Sequence, residues 1–162
     1  MAVDLAQIIP PLTTAKIDFI LIGGMAAILH GSARVTFDVD LVYSRTPANI
    51  ERLADTLAPY KPHLREVPAG LPFEWNARTI RNGLNFTLTT ELGDIDLLGD
   101  VARETYQTLL PHSFDVDAFG VRFKCIDLPT LIRIKEAAGR RKDQEAIAEL
   151  RVLLEETRKK QF

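Results

Sequence analysis

The chain has 162 residues, 46% hydrophobic and 26% charged, with a formal net charge of −2. That length supports one sizeable core, and the composition excludes a wholly disordered chain. The slight negative charge excludes a uniformly cationic face for nucleic acid, so any polyanion contact needs a local basic patch or a metal.

In chain order, residues 3–15 read as a short helix, and Pro10-Pro11 predicts a break within it. "KIDFILIGG" predicts a strand ending at the pair Gly23-Gly24, and "MAAILH" a short helix. "GSARVT" reads as a loop and "FDVDLVY" as a strand with acids between β-branched and aromatic residues. Thr46 is placed to cap a helix with Pro47 at its first position, and Ile50, Leu53, Ala54 and Leu57 recur at helical spacing. Residues 61–83 carry prolines and glycines that imply loops, with a turn or two of helix near Trp75. "LNFTLTTELGDIDLLGD" predicts two strands joined at "TELG", "ARETYQTLLPHS" a short helix, and "SFDVDAFGVRFKCID" a hairpin turning at Phe119-Gly120. From "LPTLIRIKEAAG" onward the pattern is helical, with Gly139 ending one helix and Asp143 beginning the next.

The lone cysteine, Cys125, sits in the alternating run "VRFKCIDL" and reads as a packed core thiol. One cysteine forms no internal disulfide, which suits a reducing compartment. No apolar run reaches the roughly 18–20 residues a membrane span needs. The N-terminus carries Asp4 and no basic stretch, so a cytoplasmic location with no membrane partner is expected.

Three features carry chemistry. Asp38 and Asp40 lie two apart on a predicted strand, so both point to one face with Cα atoms roughly 6.5–7 Å apart, while Val39 and Leu41 point to the core. Adjacent carboxylates repel, and a hard divalent cation between them relieves that repulsion. The same spacing also makes ordinary solvated strand faces, as "SFDVDAF" with Asp115 and Asp117 illustrates. A third acid comes from "GDIDLLGD", where either Asp94 or Asp96 completes a three-carboxylate cluster if the two strands are neighbours. Second, Gly23-Gly24 falls where a strand hands over to a helix, a turn whose free N–H groups favour phosphate. Third come the cations. Arg34 lies between the glycines and the acids, and Lys135 sits in a mostly apolar stretch where it must snorkel or meet an anion. Arg140, Arg141 and Lys142 form either a solvated helix junction or part of a cationic wall.

With these parts, the sequence resembles the nucleotidyltransferase superfamily of polymerase-beta-like fold. The matching signature is Ile22, Gly23-Gly24, a gap, then Asp38-Val39-Asp40-Leu41, with Asp96 in "DIDLL" best matching the third acid. Within it, "GGMAAILHGSARVTFDVD" and "KEAAGRRKD" look most like AbiEii-type toxins of toxin–antitoxin systems, over roughly residues 17–150.

The resemblance implies an α/β (α+β) fold, a mixed sheet flanked by helices. It implies one nucleotidyltransferase domain over 1–162, with its core at about 15–126 and a C-terminal helical segment at about 128–160. It implies transfer of a nucleoside monophosphate from an NTP to an acceptor hydroxyl on tRNA, protein or a small molecule, with Mg2+ or Mn2+, and a cognate antitoxin as partner. Asp38, Asp40 and Asp96 would be the metal-binding and catalytic acids. Gly23, Gly24 and Arg34 would meet the nucleotide, Lys135 its triphosphate, and Asp143 would fix that cationic wall. Two other expectations stand beside this one: a non-catalytic binding or regulatory protein on the same fold, and an antibiotic-modifying nucleotidyltransferase.

Overall fold

The structure is a computed structural model that describes residues 3–68 and 72–160. The chain runs α1 (Leu5–Thr14), β1 (Phe19–Ile22), α2 (Gly23–Leu29), β2 (Asp38–Tyr43), α3 (Pro47–Leu57), β3 (His63–Leu64) and α4 (Ala77–Asn82). It continues through β4 (Phe86–Thr90), β5 (Gly93–Leu98), α5 (Tyr106–Leu109), β6 (Ser113–Ala118), β7 (Val121–Ile126), α6 (Leu128–Ala138) and α7 (Gln144–Lys159). Seven strands form one mixed sheet in the order β3-β4-β5-β2-β1-β7-β6. β2 pairs parallel with β5 and β1 parallel with β7, while the other neighbours are antiparallel. This is the mixed α/β architecture expected.

The centre of the sheet is the centre of the core. All four residues of β1 are buried, and Val39, Leu41, Ile95 and Leu97 are nearly inaccessible. Each such aliphatic side chain contributes about 1.5–3 kcal/mol by leaving water. On β2 and β5 the alternate positions, Asp38, Asp40, Asp94 and Asp96, face the other way and stay partly accessible. His30 packs within the fold: its Nε2 lies 2.8 Å from the Ile126 carbonyl oxygen and its ring meets Phe114 edge-on. Cys125 is buried, and that burial pushes its thiol up to about 12.

Local signals mostly hold. The Thr46 hydroxyl accepts from the Asn49 N–H at 3.4 Å, and Pro47 opens α3. Phe119 and Gly120 turn the β6–β7 hairpin with φ of 57° and 77°. Gly139 caps α6 at φ 63°.

Two expectations are corrected. α1 runs unbroken through Pro10 and Pro11, and the Ala15 N–H still reaches the Pro11 carbonyl. Its apolar face (Leu5, Ile8, Ile9 and Leu12) is buried, and this tertiary packing outweighs the local cost of the prolines. The segment 61–83, expected as loops with helix near Trp75, also contains the two-residue strand β3 on the sheet edge. Its helix is α4, just after Trp75, whose indole N–H donates to the Ala54 carbonyl at 2.9 Å. The part of that loop at residues 69–71 lies outside the described residues. Among the described residues, no helix is long and apolar enough to cross a membrane.

Candidate active site

The register of β2 against β5 builds the centre of the site. Parallel pairing sets Asp38 beside Asp94 and Asp40 beside Asp96, so four carboxylates share one face of two adjacent strands. One oxygen each from Asp38, Asp40 and Asp96 lies within 4.8 Å of the other two. Asp94 is drawn aside: its Oδ1 accepts from the Thr89 hydroxyl at 3.0 Å. Of the two acids left open by the sequence, the clustered one is Asp96.

Burial and mutual repulsion make this cluster electrostatically tense. Burial, then the charges of Asp38 and Asp96, raise the Asp40 carboxyl from 3.8 to about 8. Burial also raises Asp96, with Arg65 opposing the rise. Asp40 Oδ1 and Asp96 Oδ1 are both buried and without a hydrogen bond. Arg65 Nη2 does lie 3.0 Å from Asp96 Oδ1, but as an ion pair off the hydrogen-bond direction. Two orphaned carboxylate oxygens facing a third carboxylate form an oxygen-only donor set that suits a hard divalent cation such as Mg2+ or Mn2+.

The glycines fit around the acids with no room to spare. A Cβ on Gly23 would lie 2.1 Å from Asp40 Oδ2, and the residue sits at φ 70°. A Cβ on Gly24 would lie 2.8 Å from the Thr36 hydroxyl oxygen. That hydroxyl donates toward the Asp38 carbonyl and Oδ1, both at 3.3 Å. Gly23 therefore lets the start of α2 press against the deepest acid.

A cleft of about 530 Å³ opens over the acids, and Gly24, Arg34, Lys135 and Asp143 all line it. A second recess of about 370 Å³ adjoins it, sharing Asp40, Asp96, Lys135 and Arg140 but walled by Leu98, Val101, Leu131 and Ile134. Of the residues singled out from the sequence, Gly24, Arg34, the four acids of β2 and β5, Lys135, Arg140, Lys142 and Asp143 line the cleft, Gly23 lines the second recess, and Arg141 lines neither. Two of them are already engaged. Arg34 pairs with Glu149 at 3.2 Å and Glu145 at 3.7 Å on α7. Asp143, 8% exposed, accepts from Arg140 Nε at 2.6 Å.

Sequence reasoning missed Arg65 and Phe37. Arg65 follows β3 and reaches Asp38 at 3.8 Å, Asp94 at 3.3 Å and Asp96 at 3.0 Å. It is a lone arginine in an irregular segment, and nothing local marks it. Phe37 is 62% exposed at the cleft wall, although it directly precedes the acids. An aromatic in a strand-like run reads as core, so its exposure carried no sequence signal.

The mixed sheet, its glycine turn and its C-terminal helices form a fold that is shared with a known adenylyltransferase. Among solved structures, the chain is similar to the lincosamide antibiotic adenylyltransferase LnuA in its lincomycin-bound crystal structure. The TM-score is 0.63 over 94% of this chain and 99% of that one, at 14% sequence identity. No protein-family model and no curated protein matches the chain.

Proposed function

We propose that the protein is a divalent-metal-dependent nucleotidyltransferase that moves a nucleoside monophosphate from an NTP to an acceptor hydroxyl. The observation that carries this is the Asp38–Asp40–Asp96 cluster, with its oxygens within 4.8 Å, on a fold shared with an adenylyltransferase. Asp38, Asp40 and Asp96 would hold Mg2+ or Mn2+, which when bound neutralises carboxylate charge and polarises phosphate and hydroxyl oxygens. The acceptor oxygen forms a bond to the α-phosphorus as the bond to pyrophosphate breaks, and Asp96 takes the acceptor proton. Gly23 and Gly24 admit the phosphates to the start of α2. Lys135 faces the triphosphate, and Arg34 joins it by exchanging its glutamate partners for phosphate. Asp143 holds Arg140 in the cationic wall. Rate enhancement comes from positioning and fixed charge, as in phosphoryl transfer generally. The whole chain works as one such domain, in the cytoplasm.

For the acceptor, the motif resemblance favours an AbiEii-type toxin acting on tRNA or protein, held in check by an antitoxin. The likeness to LnuA favours the second reading, a small-molecule antibiotic as acceptor. The test is incubation with each α-labelled NTP and Mg2+ in the presence of total tRNA, protein extract, aminoglycosides or lincomycin. Label transfer that Asp38→Asn or Asp40→Asn abolishes is expected with one acceptor class. If both variants leave Mg2+-dependent NTP binding and transfer intact, the proposed function is wrong. Calorimetry that shows no NTP binding, together with tight capture of a partner protein, would favour a regulatory role.

A further inference from the structure

A cluster of three carboxylates can hold two divalent ions about 3.5–4 Å apart, and Arg65 departs from that arrangement. Its guanidinium reaches three of the four acids on this face of β2 and β5, at 3.8 Å from Asp38, 3.3 Å from Asp94 and 3.0 Å from Asp96. It is also anchored, because Nη2 donates to the Leu88 carbonyl at 2.6 Å and its backbone N–H to the Thr87 carbonyl at 3.0 Å. Only 18% of the side chain is exposed. An arginine stays charged under all working conditions, so this is a permanent positive charge bolted to the sheet edge. It approaches from the β4–β5 side and makes no ion pair with Asp40, whose side remains open to the cleft.

We infer that Arg65 is a positioning residue that stands in for one of two cations, so that the nucleotide-free protein holds a single divalent ion on the Asp38–Asp40 side. This rests on the transfer chemistry proposed above and specifies how its metal site is built. Geometry supports it. Among the described residues Arg65 is the cation in ion-pair contact with these acids, and a guanidinium within 3–4 Å of Asp38 and Asp96 takes up space between them that a second ion would need. A second ion placed there would also meet a fixed positive charge at close range in a partly buried site.

The experiment counts ions rather than turnover. The full-length protein, free of nucleotide, is titrated with Mn2+ and bound metal is followed by electron paramagnetic resonance. The wild type is expected to bind one Mn2+ per chain. Arg65→Gln is expected to bind that ion at least tenfold more tightly, or to take up a second. Arg65→Lys keeps the charge and is expected to stay near the wild-type count. A wild-type count other than one overturns the inference even if Arg65→Gln fails to fold. So does an Arg65→Gln titration that matches the wild type. Calorimetry with Mg·ATP is run beside it. If ATP does not bind while the Mn2+ count is one and responds to Arg65→Gln, the transfer chemistry fails and the assignment of Arg65 stands.

Discussion

Replacing Asp40 with asparagine is expected to stabilise the metal-free protein while removing its response to metal. The carboxyl sits at about 8 in the folded chain against 3.8 for the free group, so the folded state binds this proton more tightly than the unfolded one. The contribution is therefore most favourable at low pH and is lost progressively as pH rises from about 4 toward 8. Each pKa unit is worth about 1.4 kcal/mol, so moving from pH 5 to pH 7 costs up to about 3 kcal/mol. For a domain of this size that is a fall in Tm of about 5–10 °C. Asp40 and Asp96 influence each other's titration, so the proton uptake belongs to the pair. Asparagine carries no charge at any pH and removes this slope. Calorimetric melting in EDTA across pH 5–8, wild type against Asp40→Asn, gives the difference directly. Adding Mg2+ at pH 8 should restore the wild-type Tm and leave the variant unmoved. Parallel Tm curves for the two proteins, or an equal response to Mg2+, would refute the reasoning.

Other outcomes test separate parts of the site. Gly23→Ala should destabilise the protein by about 2–4 kcal/mol, because its Cβ meets Asp40 Oδ2 at 2.1 Å in a left-handed backbone, whereas Gly24→Ala meets only a movable Thr36 side chain. Denaturant melts rank the two, and Gly24→Ala proving the more damaging would count against the close approach. Phe37→Ala should leave Tm unchanged, since the ring is 62% exposed, while weakening NTP binding by about tenfold if the base stacks on it, as calorimetry would show. Arg140→Ala strands the carboxylate of Asp143 and should lower stability by about 1–3 kcal/mol, read by urea denaturation. The Cys125 thiol, buried and pushed up to about 12, should resist a disulfide reagent at pH 8 until the protein is unfolded.

The sequence by itself determined the features whose cause is local. The turn at Phe119-Gly120, the Thr46 cap with Pro47, the Gly139 stop and the alternation of Asp38 and Asp40 with Val39 and Leu41 depend on residues a few positions apart. Backbone sterics and side-chain period set such features before any long-range contact forms. From spacing alone the third acid was a pair of candidates, and the motif resemblance favoured Asp96. The physical reason for that preference, the β2–β5 register and the Thr89 hydroxyl that holds Asp94, is tertiary. Gly23 was legible as a turn, but that it makes room for Asp40 is a contact across 17 residues of chain. The prolines of α1 misled because a local penalty was outweighed by a buried face formed with distant strands. Arg65 was decided wholly by tertiary structure. A two-residue strand on the sheet edge carries it to three acids from two other segments, and no periodicity, cap or motif in one chain segment encodes a charge assembled from three.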